Sequence, residues 1–76
     1  MAAKWEIKPE FFKRALKATR DVSEEIDGLE DRWNDCTERW QDSDRGQAIL
    51  EWIEEARSHI EATIEGLEEL QDLEAP

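Results

Sequence analysis

The residues of this chain that could carry chemistry are one cysteine, one histidine and a large excess of carboxylates. No histidine or base lies close to Cys36 in the sequence, and Cys36 falls on an apolar stripe, so we interpret it as a small buried residue. His59 follows Glu55 by four positions, which places the two on one helix face. A metal or acid–base site needs more converging groups than this pair. We predict no catalytic, cofactor-binding or metal-binding residues, and no enzyme.

Carboxylates dominate the composition. The 76 residues include 21 acids and 10 bases, which give a formal net charge of −11. Direct binding to nucleic acid or to an anionic membrane needs a basic face, so we predict neither. The charge favours a basic protein partner that is steered by complementary potential. The alternative is that the acidity only confers solubility.

The acids of the middle segment recur at helical spacing. Residues 21–59 hold thirteen acids and four bases. Steps of three and four positions place the acids of the first half on one outward helix stripe. A solvated coiled-coil exterior is the alternative to a binding surface. The predicted partner-binding acidic face consists of Glu24, Asp27, Asp31, Asp35, Glu38, Glu51, Glu54 and Glu55.

The two ends of the chain carry opposite charge. Residues 1–20 hold six bases and two acids, whereas residues 60–76 hold six acids and no base. In an antiparallel hairpin these ends lie side by side. We therefore expect the basic run to pair internally with the acidic run, through Lys13, Arg14, Lys17 and Arg20 on one side and Glu61, Glu65, Glu68, Glu69, Asp72 and Glu74 on the other.

The apolar residues predict the elements that position these groups. Two stripes with alternating steps of three and four indicate helices, and strand signals are almost absent. The first stripe is Phe12, Ala15, Thr19, Val22, Ile26, Leu29, Trp33, Cys36 and Trp40; the second is Ile49, Ile53, Ala56, Ile60, Thr63, Leu67 and Leu70. We predict one helical domain, 1–76, with a helix at about 9–41, a loop at 42–44 and a helix at about 45–74.

The stripes match as an all-α antiparallel hairpin of coiled-coil type. In the matching register Trp33 faces Ala56 and Cys36 faces Ile53, so large residues meet small ones. The alternative is a three-helix bundle that is broken near Gly28, because a glycine inside a helix costs about 1 kcal/mol relative to alanine.

Further apolar residues flank the stripes and exceed what one hairpin can cover. They are Phe11, Leu16, Leu50, Trp52, Ile64 and Leu73. Apolar surface of this extent predicts contact with another surface. A second copy, giving a homodimeric four-helix bundle, is the simplest occupant.

These features favour a non-catalytic protein-binding module over an enzyme. The first hypothesis is a small inhibitor or decoy, a DNA mimic that blocks a basic nucleic-acid-binding protein. In composition the chain is similar to phage-encoded blockers of the anti-CRISPR and anti-restriction type. The alternative is a homo-oligomeric helical adaptor, chaperone or antitoxin-like assembly protein. The N-terminus lacks a signal peptide's apolar run and no stretch is apolar enough to span a membrane, so we expect the cytoplasm, of the host cell if the protein is phage-encoded.

Overall fold

A computed structural model of the protein describes residues 5–75 and shows three helices. They are α1 (Pro9–Asn34), α2 (Glu38–Gln41) and α3 (Asp44–Asp72). The long helices α1 and α3 pack together, and no strand occurs between residues 5 and 75. The prediction of an all-α helical hairpin is confirmed.

Helix α1 begins where the sequence predicts and continues through its glycine. Pro9 occupies the first helical turn, where its missing N–H is not needed, and Glu10 follows at the positive end of the helix dipole. Gly28 is helical, so the predicted alternative break near this residue is wrong. The neighbouring turn is held onto α3 by the buried Ile26, which offsets the conformational cost of the glycine.

The first helix ends at Asn34 and not at the predicted residue 41. The side-chain amide of Gln41 donates hydrogen bonds to the carbonyl oxygens of Trp33, Asn34 and Cys36, at 3.0, 3.2 and 3.1 Å. These bonds take the place of the backbone donors that a longer helix would supply. The chain then turns through residues 35–37 and forms the short helix α2.

Two capping side chains define the helices that follow. The hydroxyl of Thr37 accepts a hydrogen bond from the Trp40 backbone N–H at the start of α2. The hydroxyl of Ser43 accepts one from the Gly46 backbone N–H, at 3.0 Å, at the start of α3. Ser43 is thus the N-cap of α3.

The predicted pairing of Trp33 with Ala56 is wrong. The indole Nε1 of Trp33 donates to the carbonyl oxygen of Gly46 at 2.8 Å, so Trp33 lies beside the first turn of α3. Ala56 is ten residues further along α3, roughly 15 Å away at the rise of a helix, and shares a groove with Ile26 and Leu29. The chain forms α2 in place of a continuous helix, so the heptad predicted for residues 9–41 is interrupted after Asn34. The pairing that it predicts at this end of the hairpin is therefore not formed.

The predicted pair of Cys36 and Ile53 is lost for the same reason. Cys36 lies in the turn after α1, where its thiol is 3.4 Å from the carbonyl oxygen of Arg32. Its side chain is half-buried and not part of a helix seam.

The hairpin has a thin core and an elongated form. Only Phe12, Ile26 and Ile53 are buried apolar residues in the described part of the chain. The radius of gyration is 18.2 Å, whereas a compact domain of this length has about 11 Å. Two helices side by side form a single layer, and no further long helix of residues 5–75 packs on either face of it.

Candidate interaction surface

One face of the layer is an apolar groove between α1 and α3. Its lining residues are Val22, Glu25, Ile26, Leu29, Trp52, Ala56, His59, Ile60 and Thr63. Phe11 stands eleven positions before Val22, and Leu70 seven after Thr63, so helical periodicity places both on this side. We call the five large, exposed residues of this side the open face: Phe11, Val22, Leu29, Trp52 and Leu70.

The open-face residues keep a large fraction of their surface accessible to solvent. Trp52 is 55% exposed, Val22 49% and Leu70 41%. Val22, Leu29 and Leu70 belong to the stripes that predict the hairpin seam, yet each remains at least 36% exposed. The buried residues of the stripes are Phe12, Ile26 and Ile53, and other stripe residues, such as Ile60, are half-buried.

The opposite face is closed by ion pairs. Arg57 of α3 reaches Asp27 through Nη1 at 2.6 Å and Glu30 through Nη2 at 2.7 Å, both on α1. The hydrogen bond to Asp27, with that to Glu30, raises the pKa of Arg57 despite partial desolvation of the guanidinium. These are the only ion pairs between different helices among residues 5–75. We call Arg57, Asp27 and Glu30 the arginine fork.

The six apolar residues predicted to form one interaction face do not share a face. Leu50 and Ile64 stand seven positions before and after Arg57, and Leu16 stands eleven before Asp27, so these three lie on the fork side. All three are half-buried. Phe11 and Trp52 belong to the open face. Leu73 is exposed at the end of α3, in a second groove that Trp5, Ile7, Phe12 and Leu70 also line.

The eight acids predicted to bind a partner are all exposed, but they do not form one continuous surface. Asp27 is engaged by Arg57, and Glu55 lies 3.9 Å from His59. Asp35 lies in the turn after α1, and Glu38 begins α2, so the row along helix one is interrupted after Asp31. Glu24, Asp31, Glu51 and Glu54 remain exposed on the long helices.

The basic and acidic ends are adjacent but not bonded to each other. Lys17 pairs with Asp21 within α1, at 3.3 Å, and the guanidinium of Arg14 lies 5.6 Å from the centre of the Phe11 ring. In residues 5–75 no ion pair joins the basic run to the acids of residues 60–75. The predicted cross-helix pairing is therefore not made at contact distance.

The loop end holds a hydrogen-bonded corner, residues 33–47, that the sequence does not reveal. Besides the bonds of Trp33 and Gln41, the amide of Gln47 donates to the carbonyl oxygen of Gln41 at 2.7 Å. Gly46 is buried, and a Cβ there would lie 2.8 Å from the Gln41 carbonyl oxygen and closer still to that of Trp40. Arg57, Gln41 and Gly46 are the positions that periodicity alone did not find, since each acts through specific contacts with residues distant in the sequence.

The described residues contain no group of three or more histidine, cysteine, aspartate or glutamate side chains placed to hold a metal ion. None of the three helices described in residues 5–75 has both the length and the apolar character needed to cross a bilayer. Comparison with known proteins gives no match: no family model fits the sequence, and no curated protein or solved structure shows significant similarity.

Proposed function

We propose that this chain is a non-catalytic protein-binding module and that its open face receives a helical partner. The observation that carries the proposal is the presence of five large apolar side chains, exposed on one side of a two-helix layer. A contiguous exposed apolar surface is typical of an interaction site. The fork side, by contrast, is occupied by the chain's own ion pairs.

The spacing of the open face favours helices as the partner structure. On α3 the groove is lined at positions 52, 56, 59 and 63, and Leu70 follows seven after Thr63. On α1 the exposed members Val22 and Leu29 are seven apart. Such spacing is typical of knobs-into-holes packing between helices. The geometry therefore supports an adaptor or assembly role best, and we propose that the protein performs it in the cytoplasm.

A second candidate is the acidic decoy of a basic nucleic-acid-binding protein. It is favoured by the exposed carboxylates of Glu24, Asp31, Glu51 and Glu54, to which the described chain gives no ion-pair partner. In this form of the proposal the partner is basic, binding is steered by charge, and association weakens as salt screens it.

Affinity capture with matched variants distinguishes the two. The bait is the tagged chain, and the readout is the protein retained from a lysate at low and at high salt. Trp52→Lys should abolish salt-resistant retention if the open face binds, and the triple change of Glu24, Asp31 and Asp35 to Lys should leave it intact. The decoy would be supported instead if the triple change abolished retention and Trp52→Lys did not. The wild-type chain should then lose its partner at high salt. Retention unaffected by either variant would contradict both.

A further inference from the structure

We infer that the occupant of the open face is a second copy of this chain, related by a two-fold axis to give a four-helix bundle. The inference rests on the proposed function, because it names the partner of the same surface. It is carried by surface area, by the spacing of α3 and by a glycine.

The surface area of the hairpin is large for its mass. Its accessible surface is 6642 Å², whereas a compact monomer of 8.9 kDa has about 4,800 Å². The excess is therefore roughly 1,800 Å² per chain. A stable interface of standard size removes about 800 Å² from each partner. The excess thus leaves room for an interface of that size, and pairing two open faces would double the layer into a bundle with an interior.

The open face of α3 is complementary to itself. Trp52 and His59 are seven positions apart, and so are Thr63 and Leu70. An antiparallel pairing of two copies of α3 can therefore bring Trp52 opposite the partner's Leu70 and His59 opposite the partner's Thr63. In the same register Ala56 lies opposite the partner's Gly66. A two-fold interface requires that one patch be complementary to itself, whereas binding of a foreign helix does not require this.

The position of Gly66 supports this register independently. It stands fourteen positions after Trp52 and four before Leu70, which places it on the open side of α3. A Cβ at Gly66 would meet no atom within 4 Å, so nothing within the hairpin requires a glycine there. Glycine inside a helix destabilises it, but a small residue at a helix crossing permits close approach of the second helix. The partner's Ala56 is the small residue that would face it.

Charge sets the salt dependence of this association. Each copy carries a formal net charge of −11, so two copies repel one another. The groove itself contains Glu25 and His59 as its ionisable residues, and its remaining lining residues are uncharged. Screening of the outer charges should therefore strengthen the dimer, which is the reverse of what a basic partner would show.

Sedimentation velocity of the full chain between about 5 and 200 µM tests the inference. We expect dimer at the upper concentrations and tighter association at 0.5 M than at 0.05 M sodium chloride. Trp52→Lys should weaken the dimer at least tenfold, although it reduces the net negative charge and so the repulsion between the copies. Glu54→Lys is the matched control, since it places the same residue type two positions along, on the opposite side of α3, and should retain the dimer. Helicity by circular dichroism verifies that each variant folds.

Two glycine variants and a cross-link test the register. Gly66→Ala should weaken the dimer, whereas Gly28→Ala should not, because Gly28 follows the buried Ile26 by two positions and lies on the outer side of α1. In a Cys36→Ser background, mixing Ala56→Cys with Gly66→Cys should give a disulfide-linked heterodimer on oxidation, and mixing Ala56→Cys with Gly28→Cys should not.

The outcomes separate this inference from the proposed function. A monomer at 200 µM in both salts, or a dimer that is unchanged by Trp52→Lys, overturns the second copy as occupant. If that monomer still retains another protein in a Trp52-dependent manner, the proposed protein-binding function stands with a foreign partner. If nothing depends on Trp52, both are wrong. A dimer with no cross-link between positions 56 and 66 overturns the antiparallel register.

Discussion

The corner at residues 33–47 and the open face are the two regions in which this hairpin departs from its sequence pattern, and they do so in opposite ways. In the corner, the side chains of Trp33, Gln41 and Gln47 each donate a hydrogen bond to a backbone carbonyl oxygen within residues 33–47. On the open face, Trp52 and Val22 remain about half exposed, and no segment of residues 5–75 covers them.

The difference shows which parts of the fold depend on association. The corner satisfies its own polar groups, so its geometry is independent of the oligomeric state. The open face can lower its free energy only by burying apolar area against another surface, at roughly 25 cal/mol per Å². Substitutions in the corner should therefore change stability at every concentration, and substitutions on the open face should act through association.

The largest expected effect comes from a pair of glycines. Gly46→Ala should destabilise the protein by about 3 kcal/mol, because the new methyl group would contact the carbonyl groups of Trp40 and Gln41, which are backbone and must move. Gly66→Ala should instead stabilise the isolated hairpin by about 0.5–1 kcal/mol, since its surroundings are empty. Urea unfolding at low concentration measures both. Equal effects of the two variants would mean that the corner is not tightly packed.

The next effect compares two tryptophans. Trp33→Phe removes the indole donor to the Gly46 carbonyl oxygen and should cost about 1–2 kcal/mol of unfolding free energy. Trp52 donates no hydrogen bond to any described residue, so Trp52→Phe should change the stability of the monomer by less than about 0.5 kcal/mol. Thermal or urea unfolding of the two variants at the same low concentration gives the comparison. A larger loss from Trp52→Phe would place Trp52 inside the monomer core.

A smaller effect is expected from the glutamines of the corner. Gln41→Ala leaves three carbonyl groups without their amide donor and should cost about 1 kcal/mol, because water can replace part of the lost bonding. Gln47→Ala removes one exposed hydrogen bond and should cost about half as much. Hydrogen exchange of the amides at the end of α1 should accelerate in the Gln41 variant. Unchanged exchange there would show that α1 ends at Asn34 for another reason.

The smallest effect concerns the charged ends. Reversing Glu65, Glu68 and Glu69 to Lys should shift the melting temperature by no more than about 2 °C, since no ion pair ties these acids to the basic run. The triple reversal of Glu24, Asp31 and Asp35 should behave alike. A clear loss of stability in the first variant alone would show that the two ends attract each other beyond contact distance.

Periodicity predicted the helices but not their pairing. The steps of three and four identify α1 and α3, and Ser43 is recognisable as a cap because its hydroxyl precedes an apolar run. The end of α1 at Asn34 was not predictable from heptads, because it depends on one amide, that of Gln41, folding back onto three carbonyl groups. The shift of that end moved Trp33 from Ala56 to the first turn of α3.

The candidate surface shows the same division. The excess of apolar residues was visible in the sequence, and Phe11 and Trp52 do lie exposed on one side. The side on which each residue lies depends on how α1 and α3 are rotated about their axes against each other, which the sequence does not show. The exposure of the stripe residues Val22, Leu29 and Leu70 could therefore not be predicted. The arginine fork was also hidden, because Arg57 is separated by 27 and 30 positions from the acids that it binds.

The dependence of the melting temperature on protein concentration tests the central claim most directly, namely that the open face completes the fold by association. Circular dichroism of the wild-type chain from about 2 to 200 µM is sufficient. If folding and pairing of two copies are coupled, the melting temperature should rise by roughly 10 °C over this hundredfold range, and Trp52→Lys should remove the rise. A wild-type melting temperature that stays constant within about 1 °C would contradict the claim.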